Sequence, residues 1–440
     1  FAACVAFLQG VDPARPDERA RRVAADALPA LIGVAFPIDE GEDAARSNAL
    51  RALVWRDHVE VGDLDAPAWC SLFDPRWRQG SLGLAHTPLA QSAEPIGWRA
   101  DGPSRPARAG LRWLGRGTDR ASALKAHGGS DSTEKAVARG LAWLARLQTP
   151  NGSWEHGTPR TLEASAWALL ALAGDGARAF DEGESAQAIA QGLMWLIAQQ
   201  RGDSGRFATP LCRDVRSHAL ALWAAAEHHA QQPLPGLHAA VVRAQAALLE
   251  AGMGDGSYPR DVGGREGDVL TTLYAGYALK LRADAGDGLA HEPAARALQW
   301  LAARAASDGA ISEPEGRTPA ATAGEVHLRF LHGLDVDRDA LLGKQVGWLV
   351  AHPSSIELRH PQLDAEYLLF GAWSCFQVGG DVWSEWNKNM KIQLLQVQRH
   401  SGEQDGSWEP LGIGPFDRTT VTSQRVLTFQ TYYRYAARAR

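Results

Sequence analysis

Gln148-Thr149-Pro150-Asn151-Gly152-Ser153-Trp154 decides how this 440-residue chain is read. Proline presets its own φ, asparagine bonds to nearby backbone, and glycine accepts a left-handed conformation. The stretch is therefore a tight turn that stops a helix and carries a large aromatic ring at its exit. Echoes follow at Gly205-Arg206-Phe207, Gly256-Ser257-Tyr258, Gly309-Ala310-Ile311 and Gly406-Ser407-Trp408. The first four apolar ends stand about 51–53 positions apart, and the last gap is about twice that, so one copy has decayed. A fixed period of this size signals a repeat architecture, in which each unit buries its apolar face only by stacking on its neighbours.

The unit reads as a helical hairpin. Asp131 and Glu134 have capping-box spacing at a helix start. Val137, Leu141, Leu144 and Gln148 follow at helical spacing, with Lys135, Arg139 and Arg146 on other faces, and the Pro-Asn-Gly turn ends the helix. A second helix, Leu162 to Ala173, is apolar nearly all round and so is expected to be buried on every side. Further second helices are expected near Ser217–Ala226, Val269–Lys280, Ala321–Leu331, Tyr367–Val378 and Val421–Tyr433. First helices carry Trp195, Trp300 and Trp348 at places matching Trp143. The expectation is an all-α domain of six hairpins over about 131–435, amphipathic helices outside and apolar helices inside. Val426, Leu427, Phe429, Tyr432 and Tyr433 make the last repeat too apolar for a free end. Closure against the first repeat, giving an α/α toroid, would cover them.

Composition narrows the class without naming a function. The chain is 45% hydrophobic and 22% charged, its net charge of −6 gives no sign of general nucleic-acid binding, and its sixteen tryptophans are placed as architecture. Cys4, Cys70, Cys212 and Cys375 lie far apart with no CxxC pair, so neither a disulfide framework nor a structural zinc site is expected. The longest apolar run, Ala164 to Ala173, is too short to span a bilayer. The chain begins at Phe1 and reads as a fragment or processed product, so a missing leader or anchor carries no meaning. Residues 1–75 form an irregular segment of uncertain fold, with possible helices at Asp17–Ala30 and Ala44–Trp55 and a strand-like run at Leu31–Pro37. Residues 76–128 read as a basic Arg/Pro/Gly-rich linker, with Arg99, Arg105, Arg108, Arg112, Arg116 and Arg120, and residues 129–440 as the repeat domain.

Gln148-x-x-x-Gly152-x-Trp154 resembles the QW motif of squalene–hopene cyclases and related terpenoid cyclases, whose toroid is shared with protein prenyltransferase β subunits and thioester domains. In that family the Gln ties the turn to a neighbouring helix end and the Trp stacks over it. The resemblance implies that Gln148, Gly152, Trp154, Gly406 and Trp408 are structural. The C-terminal third, from Leu363-Asp364-x-x-Tyr367 through Gly406-Ser407-Trp408, is most similar to the bacterial prenyltransferase and squalene oxidase repeat proteins, which have no assigned reaction.

The family's chemistry does not transfer with its motif. Class II cyclases protonate an alkene with a DxDD acid held neutral in an apolar cavity. Here the nearest string is Asp335-Val336-Asp337-Arg338-Asp339, where Arg338 takes an acidic place and would keep the carboxylates ionised. The Asp-x-Cys of prenyltransferase zinc sites is missing. Cys212, Asp214 and His218 form the only Cys/Asp/His cluster, read as packing and helix capping, so no metal or cofactor is expected. Ser401-Gly402-Glu403-Gln404 lacks the cysteine of a thioester. Carboxylates at inner-helix starts could serve a carbohydrate-active enzyme or simply cap helices. Asp364 is the best candidate acid. Glu163, His218, Asp268, Glu325, Tyr367 and Trp373 are candidates for the cavity or rim, with Glu366 beside them. The expected function is binding of an apolar small molecule or protein partner in or on the ring. A cyclase with a displaced acid and a carbohydrate-active toroid are the alternatives.

Overall fold

The computed structural model describes residues 120–435, apart from 156, 180, 203, 233–234, 314–315, 354–364 and 411–416. The segment expected at 1–75, most of the linker and Asp364 lie outside the described residues. A short helix α1 (Arg120–Ala126) opens the description. Six hairpins follow: α2 (Asp131–Leu147) with α3 (Thr161–Asp175), α4 (Glu184–Ala198) with α5 (Val215–Gln231), and α6 (Pro235–Ala251) with α7 (Val269–Asp284). Next come α8 (Gly288–Ala302) with α9 (Pro319–Leu331), α10 (Ala340–Ala351) with α11 (Ala365–Val378), and α12 (Gly380–Val397) with α13 (Arg418–Phe429). A last turn, α14 (Thr431–Arg434), ends the fold, and a two-stranded antiparallel ribbon (Ser312–Glu313 with Gly316–Arg317) precedes α9.

Even-numbered helices from α2 to α12 form the outer layer and odd-numbered helices from α3 to α13 the inner layer. Each inner helix packs on the next, and α13 packs on both α3 and α2, so the ring of six hairpins closes. The apolar second helices of the sequence are the inner ones, with Leu162 and Ala164 to Ala173 fully buried in α3. Two local expectations move. Ser130, not Asp131, caps α2: its hydroxyl accepts from the Thr133 N–H, and the Thr133 hydroxyl reaches back to the Ser130 N–H. Glu134 is thereby free to pair with Arg120 at 2.8 Å. Arg120, expected in a solvated linker, also holds Asp175 at 2.7 Å and the Tyr433 hydroxyl at 2.9 Å, clasping α1 to both ends of the ring.

The repeat has a mechanical logic. Gln148 donates to Gly152 O within its turn and to Ala188 O on α4, each at 2.9 Å. Gln200 does the same to Gly205 O and to Ala240 O on α6, and Gln398 to Gly406 O and to Ala136 O on α2. The turn glycines lie against the outer helix of the next hairpin. A Cβ on Gly152 would stand 2.3 Å from Gln191 O, and one on Gly406 2.2 Å from Arg139 O, and both residues have positive φ. The rings follow the same path: Trp154 Nε1 donates to Leu144 O and Trp408 Nε1 to Leu394 O, at 2.8 and 2.9 Å, and both indoles are buried. The decayed copy falls on residues 354–364, outside the described residues.

A second device sets the inner helices in register. The backbone N–H of each turn's apolar end donates to one side chain of its inner helix: Trp154 to Ser165, Phe207 to His218, Tyr258 to Thr272, Ile311 to Thr322 and Trp408 to Thr422, over 2.8–3.1 Å. This bond satisfies a buried donor that no helix or strand serves. It also fixes which residues of each inner helix face the axis.

Candidate functional site

Two residues beyond the pins of α3, α7 and α13 stand Trp167, Tyr274 and Gln424, and five residues beyond those of α5, α7 and α9 stand Trp223, Tyr277 and His327, all buried on the inner side of the ring. Phe370 and Trp373 supply the matching places on α11. These rings fill the centre. Trp223 on α5 and Trp373 on α11, which are opposite members of the ring, meet with centroids 6.1 Å apart. Tyr277 stacks on Trp223 at 4.6 Å and on Phe370 at 5.6 Å, while Trp373 also meets His327 at 5.2 Å and Tyr435 at 5.3 Å. At the end where the inner helices finish, Arg434 and Glu227 form a fully buried ion pair at 2.6 Å beside Trp373.

The opposite end, where inner helices begin, carries a polar mouth. Glu163 and Arg216 each stand two residues before their pins, and Glu366 holds the same position on α11. The Glu366 carboxylate accepts from the Tyr274 hydroxyl, and the Arg216 guanidinium lies 3.5 Å away. Arg216 also sits over the Tyr274 ring, 5.4 Å from its centroid. Burial raises the Glu163 carboxyl above the ordinary range, opposed by Arg216 and reinforced by the Glu366 charge. One carboxylate is thus anchored by an arginine and a phenol, and the other leans toward its neutral form. Arg216 is the partner that sequence reasoning passed over; its signal is the place two residues before the pin, which it shares with Glu163.

The other candidates have structural surroundings. His218 is fully buried. Its Nδ1 accepts from Phe207 N–H, so its proton is on Nε2, which donates to Ala244 O at 3.0 Å. Burial pushes its pKa down to about 4. Asp268 caps α7, accepting from Thr271 N–H at 2.7 Å. Glu325, expected at a helix start on the rim, is the seventh residue of α9, because that helix begins at Pro319. It is buried against Arg329 and accepts from the Gln345 amide of α10; Arg329 in turn holds Asp339 at 2.6 Å. Asp339 caps α10 through Leu341 and Leu342, so the Asp335–Asp339 string is a turn with a cap at its end. Tyr367 faces outward, its hydroxyl on His352 O and its ring against Trp348 and Trp386. Among the described candidates Trp373 alone lies at the ring centre. Cys212 donates to Asp214 Oδ2 at 3.0 Å, and its thiol is pushed up to about 12, chiefly by burial. Among the described residues no three His, Cys, Asp or Glu side chains converge as a metal site would require. No helix among them is long and apolar enough to cross a membrane.

A cleft of about 1130 Å³ opens on the face where the inner helices end. One wall is α1 and α12, bearing Lys125, Lys388 and Lys391; the other is the α9–α10 turn, bearing Asp335 and Asp337. Phe376 and Trp383 form its floor, edge to face at 5.2 Å, and Ile392 is half exposed at its lip. Trp383 Nε1 donates to His127 O and Asn387 Nδ2 to Gly128 O, which fixes the α1 end of the cleft on α12.

No family model and no curated protein matches the sequence. Among solved structures, an α-1,6-mannanase of glycoside hydrolase family 76 from Salegentibacter sp. HEL1_6 is 10% identical over 69% of this chain and 99% of its own, with a TM-score of 0.51. A family 76 glycoside hydrolase from a bovine Bacteroides thetaiotaomicron strain is 9% identical over 69% of this chain and 77% of its own, with a TM-score of 0.53. A type II terpene cyclase from Scytonema, MstE, is 15% identical over 68% of this chain and 97% of its own, with a TM-score of 0.47. At these identities the likeness to the family 76 enzymes establishes the fold alone, and that fold is the α/α toroid.

Proposed function

We propose that this chain is a binding toroid, which takes up a small molecule with apolar surface, or an apolar protein segment, in the cleft on its outer face. The observation that carries the reading is the contact between Trp223 and Trp373 across the ring. It makes the described centre a packed core and leaves the concavity outside it. Sites for small ligands are concave and combine apolar surface with polar groups, and the cleft sets Phe376, Trp383 and Ile392 among charged walls. The test uses Nile red, an uncharged apolar fluorophore. The native protein is expected to bind it saturably at one site, and Ile392→Asp, at an exposed position, to weaken that binding with no change in helicity. Unsaturable binding, or binding indifferent to Ile392→Asp, would remove the cleft from consideration.

The packed centre argues against an isoprenoid cyclase, whose substrate folds inside an apolar chamber. Incubation with squalene, oxidosqualene and geranylgeranyl diphosphate is expected to yield no cyclised product. A product that vanishes in Asp364→Asn would establish the cyclase instead.

The polar mouth favours a second reading, a carbohydrate-active toroid. Its support is that the Glu163 carboxyl, raised by burial, shares the mouth with the Glu366 carboxylate that Tyr274 and Arg216 hold, and a pair of carboxyl groups in unlike surroundings is what acid–base hydrolysis uses. A mannanase of the same fold has been solved with α-1,6-mannotriose. Hydrolysis of that trisaccharide, lost in Glu163→Gln, would support this reading over the first.

A further inference from the structure

We propose that the outer cleft selects an amphiphile with an anionic head, a phosphate or carboxylate, on an aliphatic chain. This rests on the cleft being the binding site and adds the chemistry of its occupant. Three cations face the cleft from one wall: Lys125 on α1, and Lys388 and Lys391 on consecutive turns of α12. Lys391 spends one N–H on Gly128 O at 2.8 Å and keeps two more for a ligand. Among the described residues, neither Lys125 nor Lys388 has a salt-bridge partner, so their charge is not neutralised within the wall. An anion placed between them would gain charge-assisted hydrogen bonds in a partly enclosed space, where they exceed their worth in open water.

The rest of the cleft orients the chain. Phe376 and Trp383 line the floor of the cleft, and Ile392, one turn of α12 beyond Lys388, stands half exposed at its lip. Burying an aliphatic chain there removes its methylenes from water. The two acids of the cleft, Asp335 and Asp337, come from the α9–α10 turn on the far wall, and Asp335 is already bonded to the Asp337 N–H at 3.0 Å. They repel an anionic head from that side, which leaves the head on the lysines of α1 and α12 and the chain over the apolar part of the lining. A cationic head would be repelled by the three lysines and drawn to the turn.

Three probes that share a dodecyl chain separate charge from apolar burial: dodecyl phosphate, dodecyltrimethylammonium and dodecyl maltoside, each titrated calorimetrically below its micelle concentration into the full chain, with inorganic phosphate alone as a fourth arm. The phosphate amphiphile is expected to bind one to one and at least tenfold more tightly than either other amphiphile, and to weaken with added salt. The double substitution Lys388→Glu with Lys391→Glu is expected to cost it at least tenfold and to leave dodecyl maltoside unchanged. Both lysines are at least partly exposed, and circular dichroism checks that the helices persist. Equal binding of all three amphiphiles, insensitive to the double substitution, would overturn the charge preference while leaving the cleft as an apolar site. Inorganic phosphate binding as tightly as dodecyl phosphate would overturn the chain's part. Binding of none of the four would overturn both this inference and the cleft reading.

Discussion

The side-chain amide of Gln398 donates to the carbonyl of Ala136, 2.9 Å away and 262 residues earlier in the chain. It repeats, across the closure, the bond that Gln148 makes to Ala188 and Gln200 to Ala240 between successive hairpins. Trp143 adds a second closing bond, from its indole N–H to Glu403 O at 3.2 Å. The last hairpin therefore meets the first as any hairpin meets the next, which is why the apolar last repeat needs no capping helix.

Gln398→Ala should lower stability by about 1–3 kcal/mol, because it leaves two carbonyls without their donor and Gln398 is buried. Gln148→Ala, at a partly exposed turn, should cost less. Gly406→Ala should cost more than about 2 kcal/mol, since φ is positive there and the new Cβ would press on Arg139 O. Urea denaturation of the three variants gives the order, and a Gln398→Ala loss no larger than that of Gln148→Ala would contradict it.

The His218 pin makes stability depend on pH. Folding holds its pKa near 4, below the unfolded value of about 6.5, so the unfolded chain binds more protons between those limits. Its contribution is fully present above pH 6.5, declines as pH falls toward 4, and is gone below that. For His218 alone the difference is about 3 kcal/mol. His327 and His229, both pushed to about 3, act in the same direction. His218→Gln can keep both bonds, accepting through Oε1 and donating through Nε2. It should therefore flatten the fall in melting temperature between pH 6.5 and 4; an unchanged slope would show that His218 is not buried neutral.

How much of this was legible in the sequence follows the range of each interaction. The Gln148 copy of the turn could be read because four positions separate Gln from Gly. Gln200 and Gln398 do the same work at separations of five and eight, since their turns carry inserted residues, and no fixed pattern finds them. Hairpins and buried second helices were legible because amphipathicity is local. The capping box slipped by one residue because Ser130 and Thr133 satisfy it equally well in principle. Arg216 and Glu366 are 150 positions apart and meet only when the ring closes, so neither residue type nor spacing announces them. Glu325 was placed on the rim because its helix was started two residues late, and about two residues, half a turn of a helix, carry a side chain from one face to the opposite one.

Removing Glu366 should be costly because of what it leaves behind. Glu366→Ala strands the Arg216 guanidinium and the Tyr274 hydroxyl in a largely buried mouth, and breaking a buried pair in this way costs about 3–5 kcal/mol. Arg216→Met with Glu366→Leu removes both charges and should recover most of that loss. Equal stability of Glu366→Ala and the native protein would mean that water already serves Arg216.

Trp373 gives the sharpest test of a packed centre. It touches side chains of α5, α7 and α9 as well as Tyr435 and is wholly buried. Trp373→Ala should cost about 3–5 kcal/mol, the transfer term of the lost ring plus the cavity left where neighbours cannot collapse. That cavity would be walled by the rings of His327, Tyr435, Phe370, Trp223 and Tyr277 with Arg434 beside them, a space shaped for a flat aromatic guest. Indole should therefore raise the melting temperature of Trp373→Ala, by filling the space that its own ring left, and have no effect on the native protein. Stabilisation of the native chain by indole, abolished when Trp373 is replaced by the bulkless alanine, would instead reveal an open chamber at the ring centre and return the cyclase to first place.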